Sequence, residues 1–274
     1  IGHGVTSSSS TVSNEITLGN TSTTKFRIPG INFVIKDTTA TDNYVLTVDA
    51  NGEAGWEAAA GGGLDSDSQY NTVAGTNAGD SFDGTNAEKN TIYGYDTGTS
   101  LTTGDDNVII GYKAGEDLTT GNTSVIIGAS ANKNSTGTAT SVIIGYDTCN
   151  GASGSGSSNV VIGYQAGWQI ENGQYNILLG RSTAMGLKTG DNNLICGYNA
   201  GYELQTGNEN TYLGNYIPGS NGSNNIIIGN DAAASSTSVS NEITLGDTAI
   251  TKFRIPGLNF TLKDSTATED YVLT

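Results

Sequence analysis

The chain has 274 residues, of which 14% are charged, and it carries a formal net charge of −16 with a pI near 4.1. Its 11 lysines and arginines form no cluster that could neutralise phosphates, which excludes a nucleic-acid-binding surface, and the negative charge does not suit an anionic membrane. No apolar run approaches the roughly 20 residues that a membrane-spanning helix needs, so we expect neither nucleic acid binding nor membrane insertion.

The first part of the chain, residues 1–20, is interpreted as the end of a β-solenoid. The step from Gly2 to Gly19 equals the glycine spacing that dominates much of the remaining sequence. A segment with alternating apolar residues, NEITLG, closes at the second of these glycines. We therefore expect a solenoid strand to end there.

Residues 21–57 are interpreted as a β-rich, β-prism-like connector. It contains KFRIPG, whose Pro29 ends strand pairing because proline has no backbone N–H donor. The alternating segments INFVIK and NYVLTVD follow as short strands, and Asn51-Gly52 is the best hairpin signal in the chain. Residues 58–69 begin with AAAGGG and are interpreted as a flexible Gly/Ala/Asp-rich linker.

Residues 70–246 contain a short repeat in which an apolar triplet is followed by a glycine. The interval between successive glycines is nearly constant, and only the steps that end at Gly94, Gly163 and Gly229 depart from it. A fixed short period predicts an all-β fold, a parallel β-solenoid or β-roll in which each repeat forms one coil of about 17 residues. The glycines of this row are Gly75, Gly94, Gly111, Gly128, Gly145, Gly163, Gly180, Gly197, Gly214, Gly229 and Gly246.

Each triplet presents apolar side chains to both faces of its strand, because successive side chains alternate. A half-buried strand needs apolar residues only at alternate positions, so these strands are expected to be covered on both faces. The middle residues of the triplets are Ile109, Ile126, Ile143, Val161, Leu178, Ile195 and Ile227. The flanking pairs include Val108/Ile110, Val125/Ile127, Val142/Ile144, Val160/Ile162, Ile177/Leu179, Leu194/Cys196 and Ile226/Ile228.

One face of the triplets can be covered within its own coil. At the seventh position after the glycine, a second apolar row (Leu101, Leu118, Ile170, Leu187, Leu204) is expected to fold back over the strand. The other face would form an apolar stripe far larger than the few hundred Å² that soluble monomers usually expose. We therefore predict association with identical copies of the chain, and we assign the middle row to the seam between them.

A polar row precedes the triplets, at the fourth position before each glycine. Stacked identical amides can hydrogen-bond from one coil to the next, so a structural ladder is favoured over a ligand site. The row consists of Asn90, Asn107, Ser124, Ser141, Asn159, Asn176, Asn193, Asn210 and Asn225.

Residues 247–274 are interpreted as the start of a second connector. The segment 12–47 returns almost unchanged and without a gap at 239–274. This offset defines a tandem module of roughly 227 residues, far longer than the coil repeat within it. The chain thus passes through one complete module and enters another, and we expect it to belong to a longer polypeptide of tandem modules.

The triplet-and-glycine coils resemble the β-rolls of trimeric autotransporter adhesin heads, although those have shorter coils. A fuller resemblance, carried by NVIIGYKAGEDLTTG, KFRIPG and VLTVDANGEAGW, is to bacteriophage tail fibres. This resemblance covers essentially the whole chain and implies an intertwined parallel homotrimer, with two identical chains as partners, in the shaft of an extracellular virion fibre. It also implies that a host cell-surface receptor is bound by a distal tip outside this segment.

Catalytic chemistry has little support in the sequence. His3 is the only histidine and has no partner nearby in its motif. Cys149 and Cys196 lie three coils apart, about 14 Å, beyond the roughly 7 Å Cα limit for a disulfide, so we expect both to be unbridged. We predict no catalytic residue and no cofactor.

Acidic turns at 65–67, 104–106 and 49–53 could hold calcium, which prefers clustered oxygen ligands. None has the spacing of an EF-hand loop, and solvated turns are the favoured interpretation, so no metal site is predicted.

A tyrosine directly follows many of the coil glycines. Packing of aromatic rings between coils is the favoured interpretation, and stacking against glycans is the alternative. The tyrosines are Tyr95, Tyr112, Tyr146, Tyr164 and Tyr198.

The sequence therefore favours a non-enzymatic, structural function: a shaft segment that separates a receptor-binding tip from its anchor. Alternatives are carbohydrate binding by the solenoid itself, an enzyme acting on polysaccharide, or a bacterial trimeric surface adhesin or extracellular filament. Glycoside cleavage is disfavoured because no pair of carboxylates recurs at a spacing compatible with the coils.

Overall fold

The structure is a computed structural model that describes residues 44–48, 54–58, 66–82, 86–151, 154, 156–252 and 254. Contacts divide the chain into two units, Ile1–Gly62 and Gly63–Thr274. The predicted solenoid end at 1–20, the first KFRIPG motif, INFVIK and most of the second connector lie outside the described residues. No helix occurs in the described part of the chain.

The first unit contains a β-hairpin. Strand β1 (Tyr44–Val48) pairs antiparallel with β2 (Ala54–Ala58), with Tyr44 opposite Ala58 and Val48 opposite Ala54. These strands flank residues 49–53, which include the predicted hairpin signal Asn51-Gly52 and lie outside the described residues.

The second unit is a parallel β-solenoid with one short strand in each coil. Its single sheet has eleven strands in chain order, and each pairs in register with its neighbours, as Ile109 does with Ile126. The strands are β3 (Thr72–Ala74), β4 (Thr91–Tyr93), β5 (Val108–Ile110), β6 (Val125–Ile127), β7 (Val142–Ile144), β8 (Val160–Ile162), β9 (Ile177–Leu179), β10 (Leu194–Cys196), β11 (Thr211–Leu213), β12 (Ile226–Ile228) and β13 (Ile243–Leu245). The predicted parallel solenoid is confirmed for this part of the chain.

A glycine is required where each strand ends. At Gly111 the backbone φ is 135°, in the left-handed region that favours glycine. A Cβ added there would lie 2.6 Å from the carbonyl oxygen of Gly128 in the next coil. Backbone lies against backbone at this corner, so the regular glycine spacing reflects the stacking of the coils.

The core is a column inside the coil, lined by the middle triplet residues and by the returning apolar row. Ile109, Ile126 and Ile195 have no exposed surface within a single chain, and neither do Leu118 and Leu187. Burying an aliphatic side chain of this size contributes about 1.5–3 kcal/mol relative to exposure. The column therefore supplies much of the stability of each coil.

This placement corrects the assignment of the seam. The middle residues Ile109, Ile126, Ile143, Val161, Leu178, Ile195 and Ile227 are all buried inside their own coils, with 0–2% exposure. The assignment of this row to a seam between chains is wrong, because the return segment of the same coil already covers it. The outward face of the sheet is instead formed by the flanking residues.

The ladder predicted for the polar row is present. Asn176 Nδ2 donates to Asn159 Oδ1 at 3.1 Å and to the carbonyl oxygen of Gly190 at 2.9 Å. Its Oδ1 accepts from both the backbone N–H and Nδ2 of Asn193 at 3.0 Å. Each amide thus ties three coils together and satisfies buried backbone groups that would otherwise be costly.

The shortest coil is filled by an unusually large core residue. The step from Gly214 to Gly229 is the shortest in the glycine row, and the strand just before this step carries Tyr212 in the middle row, fully buried. The Tyr212 hydroxyl accepts from the backbone N–H of Ser220 at 3.1 Å and lies 3.3 Å from the carbonyl oxygen of the same residue. The phenol ring occupies space that the longer coils fill with a returning leucine.

Candidate functional site

The feature most indicative of function is the outward face of the eleven-stranded sheet. The first and third residues of each strand point away from the core, and no described residue covers them. Ile162, Ile177 and Ile228 are 38–42% exposed, and the exposed fraction rises to 67% at Ile243 in the last strand. The other aliphatic residues of this face, such as Val125 and Ile127, are partly exposed.

This face is continuous and uncharged. None of the strands β3–β13 contains a charged residue, and the only polar side chains among the outward positions, apart from Tyr93 and Cys196, are Thr72, Thr91 and Thr211. Ten steps of about 4.8 Å between the eleven strands give a length of roughly 48 Å. An aliphatic strip of this length is of the kind that marks an interaction surface.

A signal in the sequence could have distinguished the two faces. Polar residues enter the flanking positions at Thr72, Thr91 and Thr211, whereas the middle row remains large and apolar as far as Ile227. The middle row first becomes polar at Thr244, where exposure of the inward position rises from buried to intermediate. Thr244 therefore marks the end of the core, and the outward Ile243 and Leu245 continue the apolar strip.

The predicted tyrosine column lies on the surface beside this face. Tyr95 and Tyr112 stack with their ring centroids 5.7 Å apart and an interplanar angle of 13°. Tyr146 and Tyr164 stack in the same way, at 5.4 Å and 12°. In each pair, the rings thus contact each other between coils through their faces. A sugar that stacked on these tyrosines would also need a ring face.

An arginine continues the column where a tyrosine is missing. The guanidinium of Arg181 lies 5.3 Å from the ring centroid of Tyr164 and 5.6 Å from that of Tyr198. Both distances are within the range of a cation–π interaction. The column is therefore bridged across this coil by a planar cation.

Charged side chains form one small network on the described solenoid surface. Lys113 Nζ lies 2.7 Å from Glu116 and 3.3 Å from Asp96, and Lys133 lies 3.5 Å from Glu116. The hydrogen bond to Glu116 is the main reason that the pKa of Lys113 is raised. These are surface ion pairs of the kind that contribute little to stability. The pairs of Lys113 with Asp96 and of Lys133 with Glu116 link neighbouring coils, whereas Lys113 and Glu116 lie in the same coil.

The two cysteines occupy different surroundings and are both free thiols. Cys149 is buried, and burial raises its pKa to about 12, so it is a poor nucleophile. Cys196 is partly exposed on the outward face, in β10. His3 lies outside the described residues.

The acidic turns are used for local hydrogen bonding where the structure describes them. Asp67 accepts from the backbone N–H groups of Gln69 and Asn71, at 2.9 and 2.8 Å. Asp105 accepts from the backbone N–H of Glu88 at 2.8 Å. Among the described residues, no group of three or more His, Cys, Asp or Glu side chains is arranged to hold a metal ion.

These observations define the described second unit as a parallel β-solenoid with one unpartnered apolar face. No known protein family, curated protein or solved structure matches the chain. A search of the described residues finds no helix of the length and apolar character needed to cross a bilayer.

Proposed function

We propose that this chain is a structural shaft segment of a long homotrimeric fibre that holds a distal receptor-binding tip away from its anchor. The single observation that carries the proposal is the outward sheet face, an uncharged apolar strip with no cover in the single chain. Three copies packed side by side would cover that strip on each chain.

The spacing of the side chains along the strip indicates which partner would cover it. Its side chains recur with every coil, about 4.8 Å apart, so a surface that matches it along its length needs the same repeat. A second copy of the chain has the same repeat because its sequence is identical. The count of three, and the setting in an extracellular virion tail fibre, rest on the resemblance to bacteriophage tail fibres; a bacterial adhesin or extracellular filament would use the same architecture.

A mechanical function follows from the hydrogen bonds. Successive coils are joined by sheet pairing in register and by the asparagine ladder, so bending the rod would strain many bonds at once. Association through the open face would also protect the strands from proteolysis. In this proposal the tyrosine column helps to hold the coils together; loss of glycan-array binding in a Tyr112→Ala/Tyr164→Ala variant would instead assign it to carbohydrate binding.

The proposal is tested by placing charges on the outward face. In an Ile127→Asp/Ile162→Asp variant we expect the oligomer to dissociate into protomers of 28.1 kDa while the circular dichroism of the β-solenoid is retained. The reason is that burying carboxylates in an apolar seam without partners is costly. A Thr120→Asp variant, whose change lies on an exposed turn, should keep the mass of the parent protein. An unchanged mass in the double variant would refute the proposed seam.

A further inference from the structure

Three of the rows that stabilise the solenoid are interrupted in the same part of the chain. Serine replaces asparagine in the polar ladder at Ser124 and Ser141, and Ser135 stands where other coils have a returning leucine. Ala129 stands where neighbouring coils have a tyrosine. The core is therefore locally more polar and less filled than elsewhere.

A small cavity lies at this interruption. The volume available to the centre of a water-sized sphere inside this cavity is about 10 Å³. Its lining combines polar side chains with a buried thiol and two core isoleucines: Asn132, Ser135, Thr138, Ile143, Cys149, Gly154, Gly156, Asn159 and Ile170. A space of this size, with polar walls, is sufficient for one water molecule.

The hydrogen bonds around the cavity leave at least one donor and one acceptor without a protein partner, so that both can bind a further molecule. Ser135 Oγ donates to the carbonyl oxygen of Gly154 at 2.6 Å and lies 2.6 Å from Thr138 Oγ1. Since the Ser135 proton is used on Gly154, Thr138 is the donor in the second bond, and Thr138 Oγ1 keeps lone pairs that can accept.

The free donor belongs to Asn132. This residue is only 2% exposed, and its Nδ2 atom has no hydrogen-bond partner among the described residues. Its Oδ1 atom is 3.4 Å from Thr138 Oγ1. A buried amide N–H without a partner is rare in folded proteins and costly, so its presence on the cavity wall points to a bound acceptor.

We propose that this cavity is an internal hydration site that holds one water molecule, which accepts from Asn132 Nδ2 and donates to Thr138 Oγ1. Cys149 Sγ, a weak acceptor, is also on the wall. The lining is neutral and presents both a donor and an acceptor, which suits water better than an ion of either sign. The site lies within one chain and does not depend on the association of copies.

The direct test is to count long-lived internal waters by oxygen-17 magnetic relaxation dispersion. A Cys149→Met variant extends a side chain into the cavity without removing a strong hydrogen bond, and it should show one long-lived water fewer than the parent protein. A Thr120→Met variant, whose change lies on an exposed turn outside both the cavity and the outward face, should keep the parent count. Equal counts in the parent and in Cys149→Met would overturn the proposal.

A second measurement needs only the unmodified protein. A high-resolution crystal structure should show a density peak within hydrogen-bond distance of both Asn132 Nδ2 and Thr138 Oγ1. A cavity without density, or an Asn132 side chain that bonds to a protein oxygen instead, would overturn the site even if the Cys149→Met variant failed to fold.

Discussion

The glycine that ends each strand is the residue on which the stacking of the coils depends most directly. In Gly111 a positive φ and close contact with the backbone of the next coil occur together. Either would disfavour a side chain, and together they exclude one without displacement of the neighbouring coil.

A Gly111→Ala variant should therefore lose stability. Strain at the positive φ and overpacking against Gly128 together should lower the free energy of unfolding by about 2–6 kcal/mol. Urea denaturation at fixed protein concentration measures this change. Thr120→Ala, on an exposed turn, is the control and should differ from the parent by no more than about 0.5 kcal/mol; a similar small effect for Gly111→Ala would contradict the proposed stacking.

The asparagine ladder allows a second test with a single residue. Asn176→Ala removes an amide that serves the coils on both sides and leaves the buried N–H and Nδ2 of Asn193 without their acceptor. We expect a loss of about 2–6 kcal/mol, from two unsatisfied donors at about 1–3 kcal/mol each. The exposed Asn172→Ala, at a position without a positive φ, is the matched control, and equal midpoints of thermal unfolding for the two variants would show that the ladder is not stabilising.

Among single residues, the sequence predicted the rows correctly but not the direction in which they point. The period-two alternation shows that the first and third triplet residues share one face of the strand. Because both faces are apolar, the alternation does not show which of them points into the core. The decisive information is the course of the return segment, which places Leu118 and its equivalents over the middle row. The hydration site beside Asn132 was likewise not predicted, since its free donor and acceptor depend on which hydroxyl donates to which acceptor in the folded chain.

At the scale of the element, the last described coil has its own cap. Glu242 continues the asparagine row, and its backbone N–H donates to Asn225 Oδ1 at 3.0 Å. Its carboxylate accepts from the Ser235 hydroxyl and from Thr244 Oγ1, and these hydrogen bonds lower its pKa. The ionised Glu242 side chain thus provides hydrogen-bond acceptors at the last position of the asparagine ladder.

The cap makes the stability of this coil depend on pH. Because the pKa of Glu242 is lower in the folded chain, its contribution is fully present above the usual glutamate pKa of about 4.3 and is lost as the pH falls through the lower folded value. Amide hydrogen exchange in β13 should accelerate over that range. In Glu242→Gln the coil should exchange faster at neutral pH and lose this dependence; an identical pH profile in the variant would exclude the cap.

The strands and the hairpin were accessible from the sequence because each carries a strong local signal. Strands β5–β10 are apolar triplets closed by glycine, and β1 and β2 flank Asn51-Gly52. Strand β11 was less evident, since its middle residue is Tyr212, whose hydroxyl finds partners only when the shortened coil folds beneath it. Local pattern thus predicts where strands form, while the filling of each coil depends on contacts between residues distant in sequence.

For the whole molecule, the account depends on the apolar face that one chain leaves open. The core column is formed within a single chain, because the middle row is buried by residues of the same chain. The outward flanking rows have no cover among the described residues of the single chain, and under the proposed function they are the surface on which copies would meet.

Sedimentation equilibrium of the unmodified chain tests this claim most directly. The account predicts a single species with three times the 28.1 kDa mass of the protomer, because three copies bury their outward faces together. A species that remains at 28.1 kDa at all concentrations would contradict it, since the apolar face would then be stable in water without a partner.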